Sequence, residues 1–314
     1  MTTITTTGLT QKVLESRPPH PPVEEIVEVQ DRAAFADPAK TSLLSAATKV
    51  RHLTPYIGTE LVGVQLSTLT PEQKDELALL AAERGVVFFR DQDLTIDQQY
   101  DLTTHFGVVS RPVNTTRGKK RSPYLSQQDR DPNQVDPRHV TILGHDYDIR
   151  QPGSFGAEYH SDHSFEINPP AYTMLRLVRT PEFGGDTLFT SQTALYDKLS
   201  PAFQKLVEGI KGVHSSEEGY TSSVNRGVQP FRGPVRREHP LVRTHPVTRL
   251  KSLFYNPAFV TALAGIKGAI PGGYNAEERE GKRTAVFGEK PFFDPNSESL
   301  SEQKARVGSA PIVL

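Results

Sequence analysis

The sequence predicts a mainly β fold, a β-sandwich or jelly roll with helices flanking it. Three observations carry that expectation. Short strand candidates recur along the chain, separated by turns that contain Gly or Pro. The strongest helix signals lie outside those strands. No Gly-rich phosphate loop joins a strand to a helix, and Gly184-Gly185 alone is a turn, which disfavours a doubly wound parallel sheet.

Residues 1–45 read as a disordered or extended N-terminal arm. They begin Thr-rich and then carry Arg17-Pro18-Pro19-His20-Pro21-Pro22, a polyproline-like run. A single domain is expected over 46–314, with order beginning near Val50. Thr70-Pro71-Glu72-Gln73 is a helix start: Thr70 caps, Pro71 fits the first turn and Gln73 completes a capping box. Leu77, Leu80 and Ala81 share one helical face, and Gly85 ends the helix. Val86–Arg90 reads as a buried strand. Thr95-Ile96-Asp97-Gln98 repeats the capping signal for a second helix, which runs to Phe106 and stops at Gly107. Residues 108–139 form a long polar loop of the kind that covers a site or stays disordered. Val140–Leu143, Tyr172–Val178 and Thr187–Phe189 are strand candidates, and Phe183–Asp186 is a turn. Helices are expected at 192–199 and 201–211, the latter opened by Ser200-Pro201. Val213–Ser215, Leu241–Arg243 and Ser252–Tyr255 complete the strand set.

Composition narrows the chemistry. The 314 residues carry 36 Lys+Arg against 37 Asp+Glu, a net charge of −1, which offers no basic footprint for nucleic acid or an acidic membrane. There is no Cys, so disulfides, zinc fingers, iron–sulfur ligation and thiol nucleophiles are excluded. A metal site must draw on the 10 His and on Asp and Glu, which favours an ion that takes imidazole and oxygen. Apolar runs such as Val86–Phe89 are strand-sized, and Met1–Leu9 lacks a basic and apolar leader, so the expectation is a soluble cytoplasmic protein.

The sharpest local feature is Tyr159-His160-Ser161-Asp162-His163-Ser164-Phe165. In an extended strand, residues i and i+2 point to the same side, so His160 and Asp162 present an imidazole and a carboxylate to one face, and His163 points to the other. Such a pair supplies two ligands of the two-His-one-carboxylate set that leaves positions open on Fe(II). Taken alone, the triplet also fits a solvated loop or a structural His–Asp hydrogen bond.

The stretch from Glu158 to Ser200 resembles the TauD/TfdA family of Fe(II)- and 2-oxoglutarate-dependent dioxygenases. The resemblance rests on Tyr159–Asp162, Asn168-Pro169-Pro170-Ala171, Gly184-Gly185-Asp186-Thr187-Leu188-Phe189-Thr190-Ser191 and Ala194-Leu195-Tyr196. Tyr56-Ile57-Gly58, Gly85–Gln92 and Phe106-Gly107 agree upstream. His239–Pro246 and Leu253-Phe254-Tyr255-Asn256 agree downstream. The taurine or alkylsulfonate branch, in its fungal form, is nearest. The resemblance implies an oxidoreductase built on a double-stranded β-helix, with Fe(II) as metal and 2-oxoglutarate as co-substrate. It implies His160 and Asp162 as iron ligands and Thr187 as a hydrogen-bond partner of 2-oxoglutarate. Arg279 and Arg283 sit where the family has two arginines, just before Gly288-Glu289-Lys290-Pro291-Phe292. The first implies a bidentate grip on the distal carboxylate of 2-oxoglutarate, the second a contact with an anionic substrate. Read without that flanking motif, both arginines belong to a mixed charge run of the kind found on solvated surfaces.

The pattern also departs from the family. The distal histidine would fall near Lys267 and Gly268, no His follows His245, and a segment is expected to be missing near 264–270, leaving the jelly roll incomplete towards the C-terminus. After Phe106-Gly107 the branch has His-Pro where this chain has Arg111-Pro112, which makes Arg111 a candidate substrate contact and puts taurine itself in doubt. The expected function is hydroxylation of a small, anionic, sulfonate-like molecule, with no nucleic-acid or membrane partner and a homo-oligomer left open. The alternatives are an inactive or truncated homologue acting as a binding protein, and a non-enzymatic cupin-like module.

Overall fold

The computed structural model describes residues 29–109, 141–143, 159–180, 186–225, 233–265, 280–287 and 291–307. A 3-10 turn at Arg32–Phe35 and helix α1 (Thr41–Ala46) open the described chain. They are followed by β1 (Lys49–His52), β2 (Thr59–Val62), α2 (Pro71–Arg84), β3 (Val87–Phe88) and α3 (Ile96–Phe106). Next come β4 (Thr141–Leu143), β5 (Pro170–Arg179), α4 (Gln192–Lys198), α5 (Pro201–Val207), β6 (Lys211–Ser215) and α6 (Glu217–Asn225). The chain continues through β7 (Arg236–Pro240), β8 (Val242–Thr244), β9 (Lys251–Leu253), β10 (Val260–Leu263), β11 (Glu280–Phe287) and α7 (Leu300–Val307).

The strands form four small sheets, ordered β1-β2-β3, β10-β6-β7, β4-β11-β5 and β8-β9. All pairings are antiparallel except β2 with β3. The long pair is β5 with β11, where Thr173 faces Ala285 and Leu175 faces Arg283 along the ladder. That sheet lies against α3, whose Phe106 ring meets Tyr172 of β5 at 5.4 Å.

Both capping boxes form as expected. Thr70 and Thr95 accept from the backbone N–H of Gln73 and Gln98, whose side chains reciprocate. Gly85 ends α2 at φ 71, a conformation that disfavours a side chain.

Three differences from the sequence expectation have physical causes. Residues 31–45, placed in the predicted arm, are folded. Ala33 and Leu43 enter the first core cluster, Arg32 pairs with Asp75 at 2.5 Å, and buried Glu76 accepts from the backbone N–H of Leu43. Those contacts lie more than thirty residues away in sequence, so local composition does not reveal them. Second, Thr187–Phe189 forms no strand: Leu188 and Phe189 are exposed, and the Phe189 ring meets Phe88 edge-on at 5.6 Å. A strand needs a neighbour for its backbone groups, and among the described residues this segment has no ladder partner. Third, Glu280–Phe287 pairs as β11 although its polar stretch reads as solvated surface.

The first core cluster joins α1, β2, α2 and α3 through residues such as Leu43, Leu61, Leu80 and Leu102. A second gathers Tyr196, Val207, Leu241 and Val242. A third, small cluster of Phe165 and Val235, with Phe259 packed on it, lies against the site described below.

Buried imidazoles make the fold acid-sensitive. Burial pushes His214 down to about 3, helped by the neighbouring His239, and burial with the charge of Arg243 does the same to His245. An unfolded His titrates near 6.5, so between about pH 6.5 and 3 the unfolded chain binds more protons. Stability is therefore full above pH 6.5 and falls as pH drops, by at most about 1.4 kcal/mol per pH unit for each histidine. Asp75 and Glu208, held below their ordinary carboxylate values against opposing burial by bonds from Arg32 and from Tyr196 and Lys251, add to the decline only at lower pH. Urea midpoints are expected to fall steadily from pH 7 to 5; a flat profile over that range contradicts neutral burial of these rings.

Candidate metal centre

His160 and Asp162 converge. His160 Nε2 lies 3.6 Å from Asp162 Oδ1, with the Asp162 side chain only 13% exposed and that of His160 32% exposed. They do so without the strand that the alternation argument assumed. Tyr159–Ser161 carries no strand, and a turn follows at Asp162–Phe165. In that turn His163 adopts φ 46, and its own carbonyl accepts from Glu166 N at 2.9 Å. His163 is buried with its ring stacked on Phe165 at 5.5 Å, a consequence of the turn rather than of strand alternation.

Two neighbours fix the pair. Thr173 Oγ1 of β5 donates to Asp162 Oδ2 at 3.3 Å, on the carboxylate oxygen other than the one nearest His160. The Phe259 ring and the His160 imidazole stand nearly perpendicular, with centroids 6.4 Å apart, and Phe259 in turn meets fully buried Phe165 in a perpendicular contact at 4.9 Å. One wall of the site is thus aromatic, and the other carries a hydroxyl.

The donor pair fits a divalent cation. Two ligand atoms each about 2.1 Å from one ion lie no more than about 4.2 Å apart, and the observed 3.6 Å falls within that limit. An imidazole and a carboxylate also suit ferrous iron better than a thiophilic ion. Among the described residues no third His, Asp or Glu joins them to make a three-donor cluster. The other described histidines are committed elsewhere. His52 bonds Thr59, His105 bonds Asp75, His214 bonds Ser164 and His239 bonds the carbonyl of Glu166. His245 Nδ1 accepts from the backbone N–H of Val247 and Thr248.

The remaining candidates are placed unevenly. Thr187 is described and exposed, outside any strand. Position 283 lies on β11 opposite Leu175, two residues along the ladder from Thr173, so the backbone brings it into the sheet that flanks Asp162. Arg279 and Arg111 lie outside the described residues. Sequence reasoning missed Thr173, Phe259 and Asn256 as neighbours of the site. Asn256 stood within the Leu253–Asn256 motif, but the spacing gave no sign of its contact 95 residues away with Ser161.

A family model described as taurine catabolism dioxygenase TauD, TfdA family, matches residues 49–279. The chain belongs to the TauD/TfdA family. Among curated members, an alpha-ketoglutarate-dependent dioxygenase of Penicillium expansum, cnsP, is 36% identical over 260 residues, covering 77% of this chain and 66% of that protein. An alpha-ketoglutarate-dependent sulfonate dioxygenase of Saccharomyces cerevisiae is 34% identical over 251 residues, covering 77% of this chain and 58% of its own length. The matched region thus spans 58–66% of these two relatives.

Solved TauD/TfdA-type structures share the fold. A taurine dioxygenase from Burkholderia xenovorans superposes with TM-score 0.57 at 24% identity, covering 80% of this chain and 94% of that one. AAD-2, solved in complex with Mn(II) and N-oxalylglycine, gives TM-score 0.57 at 20% identity, covering 78% of this chain and 99% of that one. The jelly-roll architecture expected from the sequence therefore holds for this TauD/TfdA chain, although the described strands are divided among four sheets. No described helix is long and apolar enough to cross a membrane.

Proposed function

We propose that this TauD/TfdA chain works as an Fe(II)- and 2-oxoglutarate-dependent dioxygenase that hydroxylates a small anionic, sulfonate-like substrate. The observation that carries the reading is the 3.6 Å approach of His160 Nε2 to Asp162 Oδ1 in a family member. The sulfonate class is supported by the yeast relative's description and by the basic candidates Arg111 and Arg283.

In this reading His160 and Asp162 hold the ferrous ion. Bound iron supplies the redox chemistry that couples decarboxylation of 2-oxoglutarate to oxygen insertion at a substrate carbon. The protein's own groups bind and orient. Thr173 donates to Asp162 Oδ2 and so restrains rotation of the carboxylate, leaving Oδ1 towards His160. Phe259 shields one side of the imidazole from water. Arg279 grips the distal carboxylate of 2-oxoglutarate through its planar guanidinium, with Thr187 adding a hydroxyl, while Arg283 and Arg111 meet the substrate anion.

Succinate release by the full chain, supplied anaerobically with Fe(II) and 2-oxoglutarate and then with O2, tests the substrate class. A short alkylsulfonate is expected to stimulate release well above an uncharged alcohol of the same length. Equal stimulation by the two, or none by the sulfonate, contradicts the sulfonate reading.

A second reading has its own observation. No His follows His245, and every described histidine other than His160 bonds a protein group or stacks in the core. A segment missing near 264–270 would explain the lack of a distal histidine. The chain would then be an inactive homologue that binds the metal or a small anion without turnover. Divalent-cation binding without succinate release is the result that favours it.

A further inference from the structure

Strand pairing normally keeps residues i and i+2 on one side, but Tyr159–Ser161 is not in a ladder. Something else holds His160 and Asp162 together. A set of buried polar groups beneath the segment does so.

Asn256, in the connection between β9 and β10, is only 1% exposed. Its Nδ2 donates to the carbonyl of Ser161 at 2.7 Å and to Ser164 Oγ at 2.9 Å. Its Oδ1 accepts from Ala258 N at 3.2 Å, and its own carbonyl accepts from Phe259 N and Val260 N. His214 of β6 places Nδ1 2.8 Å from the same Ser164 hydroxyl. His239 of β7 donates from Nε2 to the carbonyl of Glu166 at 2.8 Å. Three buried side chains from three separate elements therefore hold positions 161, 164 and 166.

Of these, only Asn256 reaches the residue between the two metal donors. The fit is specific to a carboxamide. Its two N–H groups serve two acceptors while its oxygen serves one donor, so all three functions are used. A carboxylate of the same shape would set an acceptor against the Ser161 carbonyl, and an alkyl group would leave that carbonyl and Ser164 without the bond.

We propose that Asn256 is the positioning residue of the metal site: by bonding the Ser161 carbonyl, it sets the separation of His160 Nε2 and Asp162 Oδ1. This rests on the reading of His160 and Asp162 as metal ligands. Asn256 touches neither donor and acts through the backbone that carries them, the kind of support whose loss typically costs roughly 10–100-fold in metal affinity.

Calorimetric titration of Mn(II) into the full chain tests it, with the melting temperature recorded for each variant. The wild type is expected to bind one Mn(II), and His160→Ala none. Asn256→Ala and Asn256→Asp are expected to bind about 10–100-fold more weakly at a temperature where both are folded. Leu43→Ala, which opens a cavity in a core cluster containing none of residues 160–166 or 256, is expected to melt earlier yet bind as the wild type does. If Asn256→Ala does not fold, Asn256→Asp, nearly the same shape and able to keep the Ala258 bond, carries the same criterion. Wild-type affinity in the Asn256 variants, or an equal loss in Leu43→Ala, overturns the positioning role. A wild type that binds no Mn(II), or a His160→Ala that binds it undiminished, overturns the ligand reading instead, and the positioning role with it.

Discussion

Succinate formation is expected to fall to background in His160→Ala and in Asp162→Ala, each with the fold intact. The two side chains meet at 3.6 Å from positions two apart, and in the proposed reading each offers a different atom type to one ion. Removing either leaves a single donor among the described residues, too few to define the geometry that the open positions depend on. The loss is therefore expected to exceed the roughly 10–100-fold carried by supporting residues. Thr173→Ala provides the graded comparison. It removes one bond of 3.3 Å to Asp162 Oδ2 and leaves both donors in place, so it should reduce turnover without abolishing it. Full activity in either ligand variant contradicts the site.

Phe165→Ala is expected to be the most damaging core substitution near the site, costing about 3–5 kcal/mol. The ring is fully buried, stacked on His163 at 5.5 Å and met edge-on by Phe259 at 4.9 Å. It closes the same turn that begins at Asp162, and Phe259 passes the contact on to His160. The cavity therefore loosens the metal pair as well as the core. Urea unfolding should show the stability loss, and Mn(II) affinity should fall with it. Phe165→Leu, which keeps most of the volume, should restore a large part of both. A Phe165→Ala protein with wild-type stability would contradict the packing described.

How far the sequence reveals this molecule depends on the range of the interactions. Thr70 with Gln73 and Thr95 with Gln98 are bonds between residues three apart, so both helix starts are legible from the residues alone. The His160–Asp162 pair is legible for the right residue types but through the wrong geometry. A turn pinned from below, not a strand, brings them together. The pins themselves are long-range. Ser164 meets His214 across 50 residues, Glu166 meets His239 across 73, and Ser161 meets Asn256 across 95. No periodicity encodes such contacts: His214 carries no positional signal in the sequence, and His239 stands out only as part of the His239–Pro246 stretch. The same holds for α1, whose Leu43 is core only because Glu76 and the first cluster receive it. Thr187–Phe189 shows the reverse error. Its residues favour a strand, but propensity supplies no partner for the backbone.

The most direct measurement is equilibrium dialysis of the full chain against Fe(II) under strict anaerobiosis, with 2-oxoglutarate present. The wild type should retain one ferrous ion per chain, and the double variant His160→Ala/Asp162→Ala should retain none. A wild type that emerges without iron, or a double variant that keeps it, contradicts the claim that these two side chains form the metal centre.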